Sequence, residues 1–149
     1  MKLIKVTQFD QAKASLDYFN GFHDGFIKRL SLISGDQFEA WGVQSSSERL
    51  TLEITIAHYN YQQGTKSPDQ LITASFYEVM NLSMAFSGLS YEWSINHVSI
   101  SEARRTLEDG RVEACLEAVL TQSRLNNERQ WELYDSLKFT FSRAEFEEL

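Results

Sequence analysis

The chain has 149 residues, 42% of them hydrophobic, with ten Phe, six Tyr and three Trp. This is enough apolar material to bury about two thirds of its surface as one domain over 1–149, which excludes a disordered chain. The lone Cys115 excludes an internal disulfide and fits a reducing compartment, so a cytoplasmic address is expected. The net charge is −7, with 7 basic and 13 acidic residues in 75–149 against 7 and 8 in 1–74, and this argues against a nucleic-acid partner. No apolar run approaches the ~20 residues of a membrane helix, and Met1–Val6 is too short for a signal peptide, so no membrane role is expected.

Phe9, Ala12, Leu16 and Phe19 recur at spacings of three and four, which predicts a short amphipathic helix with Thr7 and Asp10 as its capping pair and Asn20-Gly21 as its end. Phe26–Ile33 then reads as extended, and Ser34-Gly35-Asp36 turns the chain into a second extended run, Gln37–Val43. Residues 49–59 alternate most clearly, with Leu50, Leu52, Ile54 and Ile56 on one side and Thr51, Glu53 and Thr55 on the other. After a loop holding the only proline, Pro68, the run 71–77 alternates as Ile72, Ala74 and Phe76. The 79–86 pattern fits a strand and a buried helix about equally; a strand is taken because strands dominate the chain.

Tyr91, Trp93 and Ile95 form a further apolar row that His97 closes. Asp109-Gly110 carries a two-residue type I′ turn signal, which sets Glu108 opposite Arg111 and Leu107 opposite Val112. Carried outward, that register opposes Glu102 to Glu117 and calls for a bulge near 101–103. The run 112–122 alternates Val112, Ala114, Leu116, Ala118 and Leu120 against Glu113, Cys115 and Glu117. After Asn126-Asn127, 131–141 is a strand with Trp131, Leu133, Leu137, Phe139 and Phe141 in one row and a bulge near Asp135-Ser136. Ser142-Arg143-Ala144-Glu145 matches a capping box that opens a last helical turn through Phe146. The expected fold is mainly β, an antiparallel sandwich or half-open barrel of about seven or eight strands with a short N-terminal helix. It becomes α+β if 79–86 and 112–122 are both helical.

Two glycines flank the adjacent pair His23-Asp24 in Phe19-Asn20-Gly21-Phe22-His23-Asp24-Gly25-Phe26. The pair reads either as a base or ligand with its orienting partner, or as a corner held by side chain to backbone hydrogen bonds. Neighbouring residues point apart in extended chain, which favours the corner. A metal-dependent hydrolase would combine His23 and Asp24 with His58 or His97, yet the spacings lack the local His pairs that announce such sites. Cys115 lies between Glu113 and Glu117, which oppose a thiolate, and no nucleophile elbow or phosphate-binding loop is present. No cofactor is expected. Glu113 and Glu117, with Glu102, Glu108, Asp109, Glu128 and Glu132 nearby, would give one sheet an acidic outward face.

The helix, Phe22-His23-Asp24, the Phe26–Ile33 strand, a turn and a strongly alternating strand, with Ile72–Phe76, Val79 and Leu82 downstream, together resemble small, poorly characterised bacterial β-rich families. Some of those families are immunity proteins of toxin systems. The resemblance implies a toxin-neutralising or other binding role without catalysis. The expected function is thus a non-catalytic protein-binding module that meets a basic partner through its acidic face. A homodimer formed by sheet-edge pairing is the other assembly considered.

Overall fold

The computed structural model describes residues 3–35, 37–40, 42–44, 50–58, 70–86 and 94–149. Pro68 and its loop, Tyr91, Trp93 and Asp36 lie outside the described residues. The chain begins with β1 (Leu3–Val6), α1 (Phe9–Tyr18), a 3₁₀ turn (Asn20–Phe22), β2 (Phe26–Ile33), β3 (Gln37–Glu39) and β4 (Gly42–Gln44). It continues with β5 (Thr51–His58), β6 (Gln70–Tyr77), β7 (Met80–Met84), β8 (His97–Thr106), β9 (Val112–Leu125), β10 (Trp131–Phe141) and β11 (Arg143–Glu148). One sheet runs β1-β11-β6-β5-β2 and the other β7-β10-β9-β8, while β3 and β4 form a separate ribbon. All these neighbours are antiparallel. The mainly β reading with one short N-terminal helix holds, and 79–86 and 112–122 both contribute strands.

The alternation that marks β5 in sequence is what makes it central. Leu52, Ile54 and Ile56 are buried, and each gains about 1.5–3 kcal/mol by leaving water. They meet Ile72, Ala74 and Phe76 of β6, Ala144 and Phe146 of β11, and Leu116, Ala118, Leu120, Leu137 and Phe139 of the second sheet in one core. The two sheets are joined by a paired ribbon. The chain passes from β6 to β7 through Glu78-Val79 and from β10 to β11 through Ser142, with Tyr77 opposite Arg143 on one side and Met80 opposite Thr140 on the other. Left-handed Glu78 (φ 55°) and Asn81 (φ 55°) turn that ribbon from one sheet into the next.

Five local expectations are corrected. The C-terminal segment is strand, not a helical turn, because β11 fits between β1 and β6 and delivers Ala144 and Phe146 into the core; this tertiary pairing overrides the capping-box signal. Gln37–Val43 is two short strands with Gly42 (φ 141°) at the start of the second. Helix α1 begins one residue later than expected: the Gln11 side chain, not that of Asp10, accepts from the Thr7 and Gln8 amides at 2.8 and 3.2 Å.

The Asp109-Gly110 hairpin has a three-residue turn, in which Leu107 donates to the Arg111 carbonyl, Gly110 donates to the Leu107 carbonyl, and Gly110 is left-handed (φ 84°). This moves the β8–β9 register by one, to Ser101 opposite Glu117 and Glu102 opposite Leu116. No bulge at 101–103 is then needed, since the register is continuous from His97 to Thr106. The β9–β10 hairpin repeats the design, with Asn126 bonded to Gln130 and Arg129 to Asn126, but Arg129 (φ 57°) fills the left-handed position. Because a side chain there costs about 1 kcal/mol, Arg129→Gly should raise the urea midpoint by up to that equivalent with the m-value unchanged. An unchanged or lower midpoint would show that the added freedom of glycine in the unfolded chain offsets the relief.

Candidate functional site

The His23-Asp24 pair sits where α1 gives way to β2. Asn20, Gly21 and Phe22 are all left-handed (φ 53°, 61° and 56°), and Asp24 (φ 65°) follows them after one extended residue. This sequence of turns drives Phe22 into the core beside Phe19, their rings 4.9 Å apart. Gly21 leaves room for His97, whose Cδ2 would stand 3.1 Å from a Cβ at that position. Gly25 is similarly hemmed by the Phe22 carbonyl, Ile56 and His58. The His23 Nδ1–H donates to the Asn96 carbonyl at 2.7 Å, Asp24 N–H to the Ile95 carbonyl at 3.2 Å, and Ile95 N–H to the Gly25 carbonyl at 2.7 Å. The pair therefore stitches the helix-to-strand corner to the segment that leads into β8. The His23 and Asp24 side chains, 3.6 Å apart at Nε2 and Oδ1, both face solvent.

His97 and His58 lie against Gly21 and Gly25, the glycines that flank His23-Asp24. His58 ends the inward row of β5, is 4% exposed, and lies against the rings of Phe19 and Phe22 at 5.8 and 5.6 Å. Among the described residues no three His, Cys, Asp or Glu side chains gather as a metal-binding set. Cys115 is buried, and burial pushes its thiol pKa up; Arg105 opposes this while Glu113 and Glu117 add to it.

Burial also pushes the His58 pKa below its usual 6.5, with hydrogen bonding and the Glu148 carboxylate opposing the shift only in part. The folded chain thus holds a neutral ring that the unfolded chain protonates as pH drops past 6.5, so His58 costs stability below that pH. The urea midpoint should fall from pH 7 to pH 5, and His58→Phe should flatten that part of the profile. An equal slope in the variant would assign it to other groups.

The acidic residues do not share one face. Glu113 and Glu117 lie with Cys115 on the outward side of β9. Glu102, opposite Leu116, and Glu132, opposite Arg124, lie on the side that carries the core. A one-residue register shift reverses every side chain, and the three-residue turn supplies that shift for β8. Most of these carboxylates are also answered within the chain: Glu113 by Arg105 at 2.7 Å, Glu132 by Arg124 at 2.8 Å, Glu117 by Lys138 at 3.9 Å, and Asp109 by Arg111.

The feature that sequence reading missed is apolar. The register of β10 against β9 shifts between Asp135 and Leu137, where the expected bulge lies, so Leu137, Phe139 and Phe141 face the core while Trp131 and Leu133 face outward. Trp131 is 60% exposed, Leu133 62%, and Leu125, directly opposite Trp131, 56%. These three side chains form an apolar tip on the outward side of the β9–β10 hairpin. Arg124 and Glu132 pair on its reverse side, with Arg124 4.6 Å over the Tyr134 ring. The signal was available: once a bulge is placed at Asp135-Ser136, residues of equal parity on its two sides cannot share a face.

Two open grooves flank α1, one of about 450 Å³ toward His97–Ile100 and one of about 630 Å³ toward Glu102–Arg104, and Phe9 borders both. Neither brings together a nucleophile, a base and an oxyanion donor. No helix of the described residues is long and apolar enough to cross a membrane. Comparison with protein-family models, with curated proteins and with solved structures finds no match to this chain.

Proposed function

We propose that this chain is a non-catalytic protein-binding domain of the immunity type, and that it holds a basic partner protein through the apolar tip of the β9–β10 hairpin. The observation that carries the reading is the exposure of Trp131 beside Leu125 and Leu133 on one outward surface. Such a cluster is costly to leave in water and is the kind of anchor that dominates protein interfaces, where Trp is enriched. The net charge of −7 attracts a cationic partner at long range, while the tip supplies the short-range contact.

The test starts from a partner crosslinked in the native host, identified by mass spectrometry, purified and titrated against the chain. Trp131→Ala with Leu133→Asp should weaken binding at least about tenfold, and association should slow as salt rises. Charge reversal at Glu117, which leaves the Arg105–Glu113 pair intact, should act mainly on the association rate. Binding that is indifferent to the tip but abolished by that reversal would return the site to the outward acidic residues of β9.

A further inference from the structure

The larger of the two grooves beside α1, about 630 Å³, lies between the first turn of the helix and the end of β9 opposite the hairpin tip. That volume is in the range of small-molecule sites. Phe9, Ala103, Ala114 and Leu116 supply apolar wall, and three charged side chains, Asp10, Glu102 and Arg104, line it as well. Apolar walls with a few polar groups among them are the composition of a ligand pocket.

Glu102 and Arg104 are both exposed and, two residues apart on β8, lie on the same side of the strand. Opposite charges at this spacing can close on each other, as Arg143 and Glu145 of β11 do at 3.7 Å. Glu102 and Arg104 do not. Among the described residues neither side chain takes part in a hydrogen bond or an ion pair, so the carboxylate and the guanidinium both remain open to a ligand in the groove.

We propose that this groove binds dipeptides through their terminal charges, with the α-carboxylate on Arg104 and the α-ammonium on Glu102. A plain anion would face the carboxylates of Asp10 and Glu102, and a plain cation would face Arg104. A molecule that carries both charges satisfies both walls. Spacing then selects among such molecules: the Cα atoms of Glu102 and Arg104 stand about 6.6 Å apart along the strand, and an extended chain of two residues spans about 7 Å. A single amino acid carries both charges on one carbon, closer together than this. The guanidinium suits a carboxylate because its planar fork donates two parallel hydrogen bonds. The ligand's own side chains rest on Phe9, Ala114 and Leu116. The groove lies at the other end of β9 from Leu125 and Trp131, so this site stands or falls independently of the binding role proposed above.

Alanyl-leucine titrated into the ¹⁵N-labelled full chain should shift the amide signals of Phe9, Ala103 and Ala114, leave those of Leu125 and Leu133 in place, and saturate below about 10 mM. Arg104→Gln should weaken binding at least about tenfold. The C-amidated dipeptide should bind the wild-type chain as weakly as alanyl-leucine binds Arg104→Gln, and should lose nothing further on that variant. Glu102→Gln and the N-acetylated dipeptide should form the matching pair at the other end. Leucine alone should bind at least about tenfold more weakly than the dipeptide. A wild-type chain whose signals do not move at 20 mM dipeptide, binding that tolerates loss of either terminal charge, or equal affinity for leucine overturns the proposal.

Discussion

Arg105→Ala is expected to lower the unfolding free energy by about 1–3 kcal/mol, the loss seen when buried hydrogen-bond partners are left unsatisfied. The Arg105 side chain is 1% exposed, although it lies on the side of β8 that faces away from the core. Its guanidinium is enclosed at the corner where the ribbon passes between the sheets. Nε donates to Glu113 Oε1 at 2.7 Å, Nη1 to the Glu78 carbonyl at 2.6 Å, and Nη2 to the Ser142 hydroxyl at 2.8 Å. Thr140 Oγ1, itself held by the Met80 carbonyl, lies 3.4 Å from Nη1. One side chain thus ties β8, β9, the β6–β7 corner and the β10–β11 junction. Its loss leaves the Glu78 carbonyl without this donor, while the Glu113 carboxylate, 38% exposed, turns to water. Arg105→Lys should recover only part of the loss, because an ammonium cannot present donors in the same planar fork. Urea unfolding measures both variants. A change below about 1 kcal/mol for Arg105→Ala would mean that water reaches the corner and that the guanidinium is dispensable there.

What sequence could show of this chain follows from the range of the interactions. Period-two alternation is local, and it located β5, β6, β9 and β10 because each buries one face against a neighbour of the same kind. The 79–86 segment was balanced between two periods in isolation, and pairing of β7 with β10 decided it. Elements at the chain ends escaped for the opposite reason. Leu3–Val6 is too short to show a pattern and becomes a strand only beside β11. The Ser142–Glu145 box favours a helix that the slot between β1 and β6 does not admit.

The errors at the site came from register, which sequence encodes only through turns and bulges. Asp109-Gly110 announces a turn but not whether two or three residues lie in it, and that one residue decides which way Glu102 faces. His23 and Asp24 were legible as a corner because the glycines beside them state the backbone's needs. Their partners, the backbone at Ile95 and Asn96, stand more than seventy residues away and leave no mark on the motif.

Phe76→Ala is expected to cost about 3–5 kcal/mol, whereas Trp131→Ala, which removes a larger side chain, should change stability by no more than about 0.5 kcal/mol. Phe76 lies where the two sheets meet, with its ring 4.8 Å from Phe139, 5.0 Å from Phe141 and 6.0 Å from Phe146, each nearly edge-on. Truncating it opens a cavity that the backbones of β5 and β11, bonded to β6 on both sides, cannot close. Trp131 has only Leu125 opposite it and is 60% exposed, so the folded chain gains little from its ring. The same contrast separates fold from function. A Trp131 variant with wild-type stability and lost binding places the ring's free energy in the complex, where an anchor's belongs. If Trp131→Ala instead destabilised the chain as much as Phe76→Ala does, the hairpin tip would be part of the fold, and the surface for a partner would have to be sought elsewhere on the molecule.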